Sequence, residues 1–337
     1  MTIRTALIGR GMAGTVFHAP LLRALPDFDL AAIAGSADAA AAIAHPSTDL
    51  IVIATPNTSH APLARAALEA GKHVVVDKPF ALSSAEADAL IALARERGRL
   101  LTVFHNRRWD GDFLTARALL GSGRLGAVKL CEMHWDRFRP AIKPGWREGG
   151  GEGSGLLFDL GPHLIDQALL LFGMPEALDG DVAVQRSEAQ ADDYFALTFH
   201  YPDLRVRLHA SNIIAAPRPR FALYGTGGAI SKRGVDPQEA ALREGVSPLA
   251  PGFGEDPTPF QATFPAGYEE IPILPGRYLA FYEGVVDAIL RGAPAPVDPA
   301  DARDGLRLIE TARESARTGR RISLAAATRP VAPAPAG

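Results

Sequence analysis

Three side chains of the 337-residue chain could carry chemistry together: Lys78, Asp159 and His163. Oxidising a secondary alcohol needs a group that takes the hydroxyl proton while a hydride leaves the same carbon. It also needs positive charge beside the developing carbonyl oxygen. An imidazole such as His163 takes a proton near neutral pH, and Lys78 supplies the charge. Asp159 stands one helical turn before His163 and would orient the ring or hold substrate. Each has a plain structural alternative: a solvated strand-end lysine, a helix-capping aspartate, a satisfied core histidine. Asp166 would bond substrate hydroxyls or serve structure. Arg107, Arg108 and Trp109 would line the substrate pocket or clasp two domains. His18 and His105 are weaker candidates, and no metal-ligand spacing appears, so no metal is expected.

A second cluster could hold a cofactor. Gly9-Arg10-Gly11-Met12-Ala13-Gly14 follows an apolar run and opens a helix, which is the context a dinucleotide-binding turn requires. The first glycine permits the turn, the second admits the phosphates to the backbone, and the third lets helix and sheet pack closely. Phosphate charge then meets free N–H groups and the helix dipole. An acidic residue that would grip the ribose 2′-hydroxyl of NAD normally ends the second strand. Here Ser36 stands there and the first carboxylate is Asp38. With Arg10 nearby, that favours NADP, with NAD as the alternative. Thr55, Pro56, Asn57 and His60 after the third strand, and Asp77 and Lys78 after the fourth, complete the predicted cofactor contacts.

These residues must be positioned by strands that end together. Apolar segments at 2–9, 30–34, 49–55, 73–77 and 100–105 alternate with helical ones, which predicts a parallel sheet covered on both faces. Ligands of such sheets sit at the carboxyl ends of the strands. Ser83 and Glu86 fit a capping box that opens a helix running to Arg97. Pro20 cannot sit inside the glycine-turn helix without losing a bond, so that helix is expected to stop near Phe17 and restart at Pro20. Beyond residue 120 the segments 128–138, 194–201, 204–211 and 220–224 alternate without long helices between them, the pattern of an antiparallel sheet. One helix, around 164–172, interrupts it and Pro162 would start it. Two more are predicted near 278–291 and 299–318, and 234–268 reads as a surface excursion. The expected fold is α/β. A dinucleotide-binding domain spans 1–120, a substrate-binding and oligomerisation domain spans 121–330, and 331–337 form a disordered tail.

Composition narrows the class. Hydrophobic residues make up 47% and charged residues 22%, and the net charge of −3 gives no electrostatic reason to bind nucleic acid or an acidic membrane. Cys131 is the only cysteine, so no internal disulfide forms. No apolar run reaches the length of a membrane span, and no secretory leader is read at the N-terminus. A cytoplasmic location is expected.

With these residues in hand, the chain resembles the glucose–fructose oxidoreductase/inositol dehydrogenase (Gfo/Idh/MocA) family almost end to end. The likeness runs from the glycine motif through Thr55-Pro56-Asn57 and Asp77-Lys78-Pro79 to Asp159-x-x-x-His163-x-x-Asp166. It continues in Asp287-Ala288-Ile289, Pro296-Val297 and Ser315-Ala316-Arg317-x-Gly319. Phe17-His18-Ala19-Pro20 and Phe104-His105-Asn106-Arg107-Arg108-Trp109-Asp110 resemble its branch of NADP-dependent scyllo-inositol dehydrogenases. The resemblance implies a Rossmann domain and a second domain with an open, mostly antiparallel sheet, commonly buried by pairing into a homodimer or homotetramer. It implies the catalytic set Lys78, Asp159 and His163 and a small polyol or sugar substrate, most readily scyllo-inositol. Another sugar, or nucleotide sensing without chemistry, are the alternatives. In one place the chain departs from the family. Ala37–His45 is an alanine-rich remnant of a longer stretch, which implies that part of one sheet edge is missing.

Overall fold

A computed structural model describes residues 2–324; the predicted disordered tail lies outside the described residues. The chain divides into two compact units. The first comprises Met1–Asp110, Asp236–Glu255 and Pro275–Leu306, and the second Gly111–Val235, Asp256–Leu274 and the chain from Arg307 onward. The division is therefore more than one cut near residue 120, because two later segments rejoin the first unit. A buried polar cluster explains their return. Arg107 donates to Glu239 and, at 2.7 Å, to the Tyr278 hydroxyl, which donates to Asp110. The Gln238 amide donates to the Trp109 carbonyl and its oxygen accepts from the Tyr278 N–H.

The first unit carries a five-stranded parallel sheet of β1 (Ile3–Ile8), β2 (Phe28–Ala34), β3 (Leu50–Ile53), β4 (His73–Asp77) and β5 (Leu101–Phe104). Its order is β2-β1-β3-β4-β5. All side chains of β3 are buried, which is why that strand reads as a continuous apolar run. In this sheet β3 pairs directly with β1, β2 is the outer strand, and Ala31 and Ala32 on it are exposed. Helix α1 (Ala19–Ala24) precedes β2, and only a short α2 (Ala39–Ala44) stands between β2 and β3. Helix α3 (His60–Glu69) stops before Gly71. Helix α4 (Ser84–Arg97) realises its capping box: the Ser83 hydroxyl accepts from the Glu86 N–H and Glu86 accepts from the Leu82 N–H.

The glycine-turn helix does not stop at Phe17 as Pro20 suggests. Ala13–His18 form a π-helical turn that runs directly into α1, with Pro20 in its first turn. The proline falls where an N–H would lack an intrahelical partner, and the wide turn absorbs the change of register.

The second unit opens with α5 (Gly111–Gly121) and builds a nine-stranded sheet. Its strands are β6 (Val128–Asp136), β7 (Ala177–Ala183), β8 (Tyr194–His200), β9 (Arg205–Ser211), β10 (Phe221–Gly225), β11 (Gly228–Lys232), β12 (Phe260–Phe264), β13 (Gly267–Ile271) and β14 (Ile322–Ser323). The order is β13-β12-β11-β10-β6-β9-β8-β7-β14, and every pairing except β6 with β9 is antiparallel. The α/β architecture is thus the expected one. Helix α6 (Leu156–Phe172) packs on β8 and β9, burying Phe195, Leu197, Val206 and Leu208. It begins eight residues before the predicted 164, with Pro162 in its interior rather than at its start. The 234–268 stretch is also more ordered than its composition suggests. It contains a helix over Gln238–Arg243 and strand β12, anchored by buried Asp236, Gln238 and Phe260.

Burial pushes the imidazoles of His60, His73 and His134 below their ordinary value. The folded state then resists a proton that the unfolded chain accepts below about pH 6.5. The stability these groups contribute is present above that pH and lost as pH falls. The thermal midpoint is expected to drop on acidification from about pH 7 to about pH 5; a midpoint that stays level or rises would contradict this.

Candidate active site

In the first unit, the turn after β1 fits a dinucleotide. Gly9 has φ +134°, and a Cβ there would stand 2.2 Å from the Ala54 carbonyl oxygen; one on Gly14 would stand 2.1 Å from the Gly9 carbonyl. Those glycines serve the chain's own packing. At Gly11 an added Cβ meets nothing within 4 Å, so its smallness leaves open room beside the backbone, the place a pyrophosphate takes. Met12 is exposed beside it, and Ala13 begins the helix. Arg10 reaches the end of β2: its Nε donates to the Ile33 carbonyl at 3.3 Å and its NH2 to Asp38 at 3.1 Å. Ser36 is exposed there.

Gly9→Ala should cost about 2 kcal/mol or more, from a carbonyl clash at a backbone angle side chains rarely adopt. Gly11→Ala should leave stability unchanged and weaken cofactor binding. Thermal melting and a titration of NADPH fluorescence separate the two; equal losses of stability in both variants would refute the distinction.

The strand ends of the same unit carry the other predicted groups. The Ser59 hydroxyl donates to Thr55, and Asn57 is buried just past Pro56. His60 is 1% exposed, with Nδ1 2.7 Å from the Pro79 carbonyl and Nε2 2.8 Å from the Thr55 carbonyl. It therefore braces the turns after β3 and β4, at the strand ends where a cofactor contact is predicted. Asp77 Oδ1 accepts the Lys78 N–H at 2.7 Å, fixing the backbone of the lysine, and the following Lys78–Pro79 peptide is cis. Burial raises the Asp77 carboxyl, but His18, Lys78 and His60 outweigh it and hold it below its ordinary value. The Lys78 side chain is half-buried. His18 is wholly buried against the Tyr282 hydroxyl and Phe104, and His105 is buried at the end of β5.

Arg107, predicted to line the substrate pocket or clasp two domains, is engaged within the first unit. It is 5% exposed, and its guanidinium is held by Glu239, Asp110 and Tyr278 inside the first unit. Trp109 packs edge-on against Phe281, and its carbonyl anchors Gln238 and Arg277. Arg108 pairs with Asp301. The sequence cannot separate these residues from pocket-lining ones because all their partners but Asp110 lie more than 100 positions away.

In the second unit, Asp159 and His163 lie one turn apart on α6. Asp159 does not cap the helix. Asp192 does: its side chain accepts the Leu157 N–H at 2.7 Å, and its carbonyl accepts that of Leu156. Gly155, with φ +96°, makes room, since a Cβ there would stand 2.1 Å from the Asp192 carboxylate. With the cap supplied elsewhere, Asp159 meets two guanidinium groups, Arg137 at 3.4 Å and Arg147 at 3.6 Å. His163 is 7% exposed and stacks on Trp135 at 6.0 Å. Asp166, one turn further, is buried. Arg137, Arg147 and Trp135 were not singled out by the sequence. Trp135-Asp136-Arg137 at the end of a strand was the available signal; Arg147 sits in a loop without pattern. Among the described residues no cluster of ligating side chains could hold a metal, and no helix is long and apolar enough to cross a membrane.

Two family models match the chain. Residues 3–105 match the family model described as an oxidoreductase family, NAD-binding Rossmann fold, and residues 117–324 its C-terminal alpha/beta domain. The oxidoreductase YdgJ of Escherichia coli K12 is 43% identical over 96% of this chain and 99% of its own. The scyllo-inositol 2-dehydrogenase (NADP(+)) IolW of Bacillus subtilis is 36% identical over 96% of each. A solved oxidoreductase structure from Yersinia pestis superposes with a TM-score of 0.91 at 42% identity, covering 97% of this chain and 98% of that one.

Proposed function

The chain belongs to the Gfo/Idh/MocA oxidoreductase family and is an NAD(P)-dependent oxidoreductase; from that premise we propose that it interconverts a secondary alcohol and a ketone on a ring polyol or sugar, with NADP as cofactor. The observation that carries this reading is the α6 pair: a carboxylate flanked by two guanidiniums, one turn from a buried imidazole stacked on an aromatic ring. Such a wall suits a ring with several hydroxyls, because carboxylate and guanidinium supply complementary acceptors and donors. The similarity to IolW supports a scyllo-inositol-like substrate.

In this reading His163 accepts the hydroxyl proton as the carbon–oxygen double bond forms. Lys78 donates a hydrogen bond to that oxygen and stabilises its charge as the proton leaves. Asp159 holds a neighbouring hydroxyl, so that the reacting carbon is presented in one orientation. Gly11 and the helix after it receive the pyrophosphate, and Arg10 the 2′-phosphate. When bound, the oxidised nicotinamide accepts the hydride, so alcohol and NADP⁺ become ketone, NADPH and one proton. We further assign the enzyme to the cytoplasm, as a homo-oligomer joined through the outer face of its nine-stranded sheet.

The short connection between β2 and β3 favours a second reading, a nucleotide sensor without chemistry. A panel of inositols and sugars with NADP⁺ and NAD⁺, followed by absorbance of the reduced nicotinamide, tests both. Turnover of at least one polyol supports the enzyme. Cofactor binding without turnover of any supports the sensor.

A further inference from the structure

The 139–155 stretch has no regular secondary structure, yet a single buried side chain ties its first half down. Arg186, in the connection between β7 and β8, is 8% exposed. Its Nε donates to Asp193 at 2.7 Å, NH1 to the carbonyls of Arg139 and Ala141 at 3.1 and 3.2 Å, and NH2 to Glu148 at 3.1 Å. Glu148 closes a small ring by accepting the Lys143 N–H at 3.1 Å. The far end is fixed by the Gly155 N–H, which donates to the Arg147 carbonyl at 2.9 Å. Between these anchors Arg147 lies over Trp146 and faces Asp159.

A surface loop does not ordinarily receive a wholly engaged arginine. Removing such a group from water is costly and is tolerated when its donors are satisfied by fixed partners. We propose that Arg186 is a positioning residue for the substrate site: it holds the 139–148 backbone in one shape so that Arg147 meets Asp159. The inference rests on the proposed function, because it treats Asp159 as a substrate contact. Arg147 is then the specificity residue, sharing substrate hydroxyls with Asp159, and Arg186 acts only through it. A ring polyol is the fitting ligand, since Asp159 and Arg147 together offer its hydroxyls an acceptor and donors.

A double-mutant cycle tests this on the full-length enzyme loaded with NADP⁺. Arg147→Ala and Arg186→Lys are each expected to raise KM for the polyol about tenfold while leaving KM for NADP⁺ unchanged, the size expected for one charge-assisted hydrogen bond. The double variant should be no worse than the poorer single one, because both changes break the same chain of contacts. Arg186→Lys should also speed tryptic cleavage after Arg147, with the thermal midpoint checking that the fold is kept. Effects that multiply in the double variant, or cleavage at the wild-type rate in Arg186→Lys, would overturn the proposal. Absence of turnover on every polyol would instead refute the proposed function. The cleavage rates would still decide whether Arg186 fixes the segment.

Discussion

Lys78→Ala is expected to lower turnover by about 10²-fold or more, and His163→Ala by a similar factor, the range found for loss of a positioned charge or a general base. Both variants should bind NADPH as the wild type does. For Lys78 this follows from its neighbourhood. Its backbone is held by Asp77 and by the Pro79 carbonyl that His60 braces, so truncating the side chain leaves those contacts in place. For His163 the expectation follows from its place on a helix of the second unit, whereas the glycine turn belongs to the first. His163→Gln keeps a polar group but cannot accept and hold the proton, so it should be nearly as slow as His163→Ala. Stopped-flow turnover alongside a fluorescence titration of NADPH measures both quantities. Wild-type rates in both alanine variants would mean that neither residue has its assigned role.

Arg10→Ser is expected to weaken NADP⁺ by about tenfold or more while leaving NAD⁺ almost unchanged, since only the former carries a ribose 2′-phosphate for the guanidinium to meet. Arg10 already lies along the end of β2, close to Gly35 and paired with Asp38. The pair is exposed, so it contributes little to stability, and replacing Arg10 should not disturb the fold. Asp38→Ser should act the other way, favouring NADP⁺ by removing a negative charge from beside the phosphate. Steady-state KM values for both cofactors on all three proteins check this. An Arg10→Ser enzyme with an unchanged ratio of KM values would remove the basis for preferring NADP.

The first unit was largely legible in the sequence because its strands are buried on both faces and its helices carry local stop and start signals. β3, the Ser83–Glu86 capping box and the glycine turn each depend on neighbours in sequence. What sequence could not supply were contacts between distant residues. The contacts of Arg107 with Glu239 and Tyr278, and of His60 with the Pro79 carbonyl, have no local signal. The start of α6 was missed because Pro162 suggests a beginning, and the true cap, Asp192, lies 35 positions downstream of the Leu157 N–H it accepts. Asp159 could only be released from a capping role once that partner was known. The π-helical turn before Pro20 shows how a helix can bypass a proline that local rules would treat as a break.

The account rests on a hydride passing directly between a polyol carbon and the nicotinamide while Lys78 and His163 handle the oxygen and its proton. A ring polyol deuterated at its carbinol carbons, oxidised by the wild-type protein with NADP⁺ in ordinary water, tests that most directly by mass spectrometry of the cofactor. One deuterium per reduced nicotinamide is predicted. Reduced cofactor free of deuterium, or none formed from any polyol despite intact binding, would contradict it.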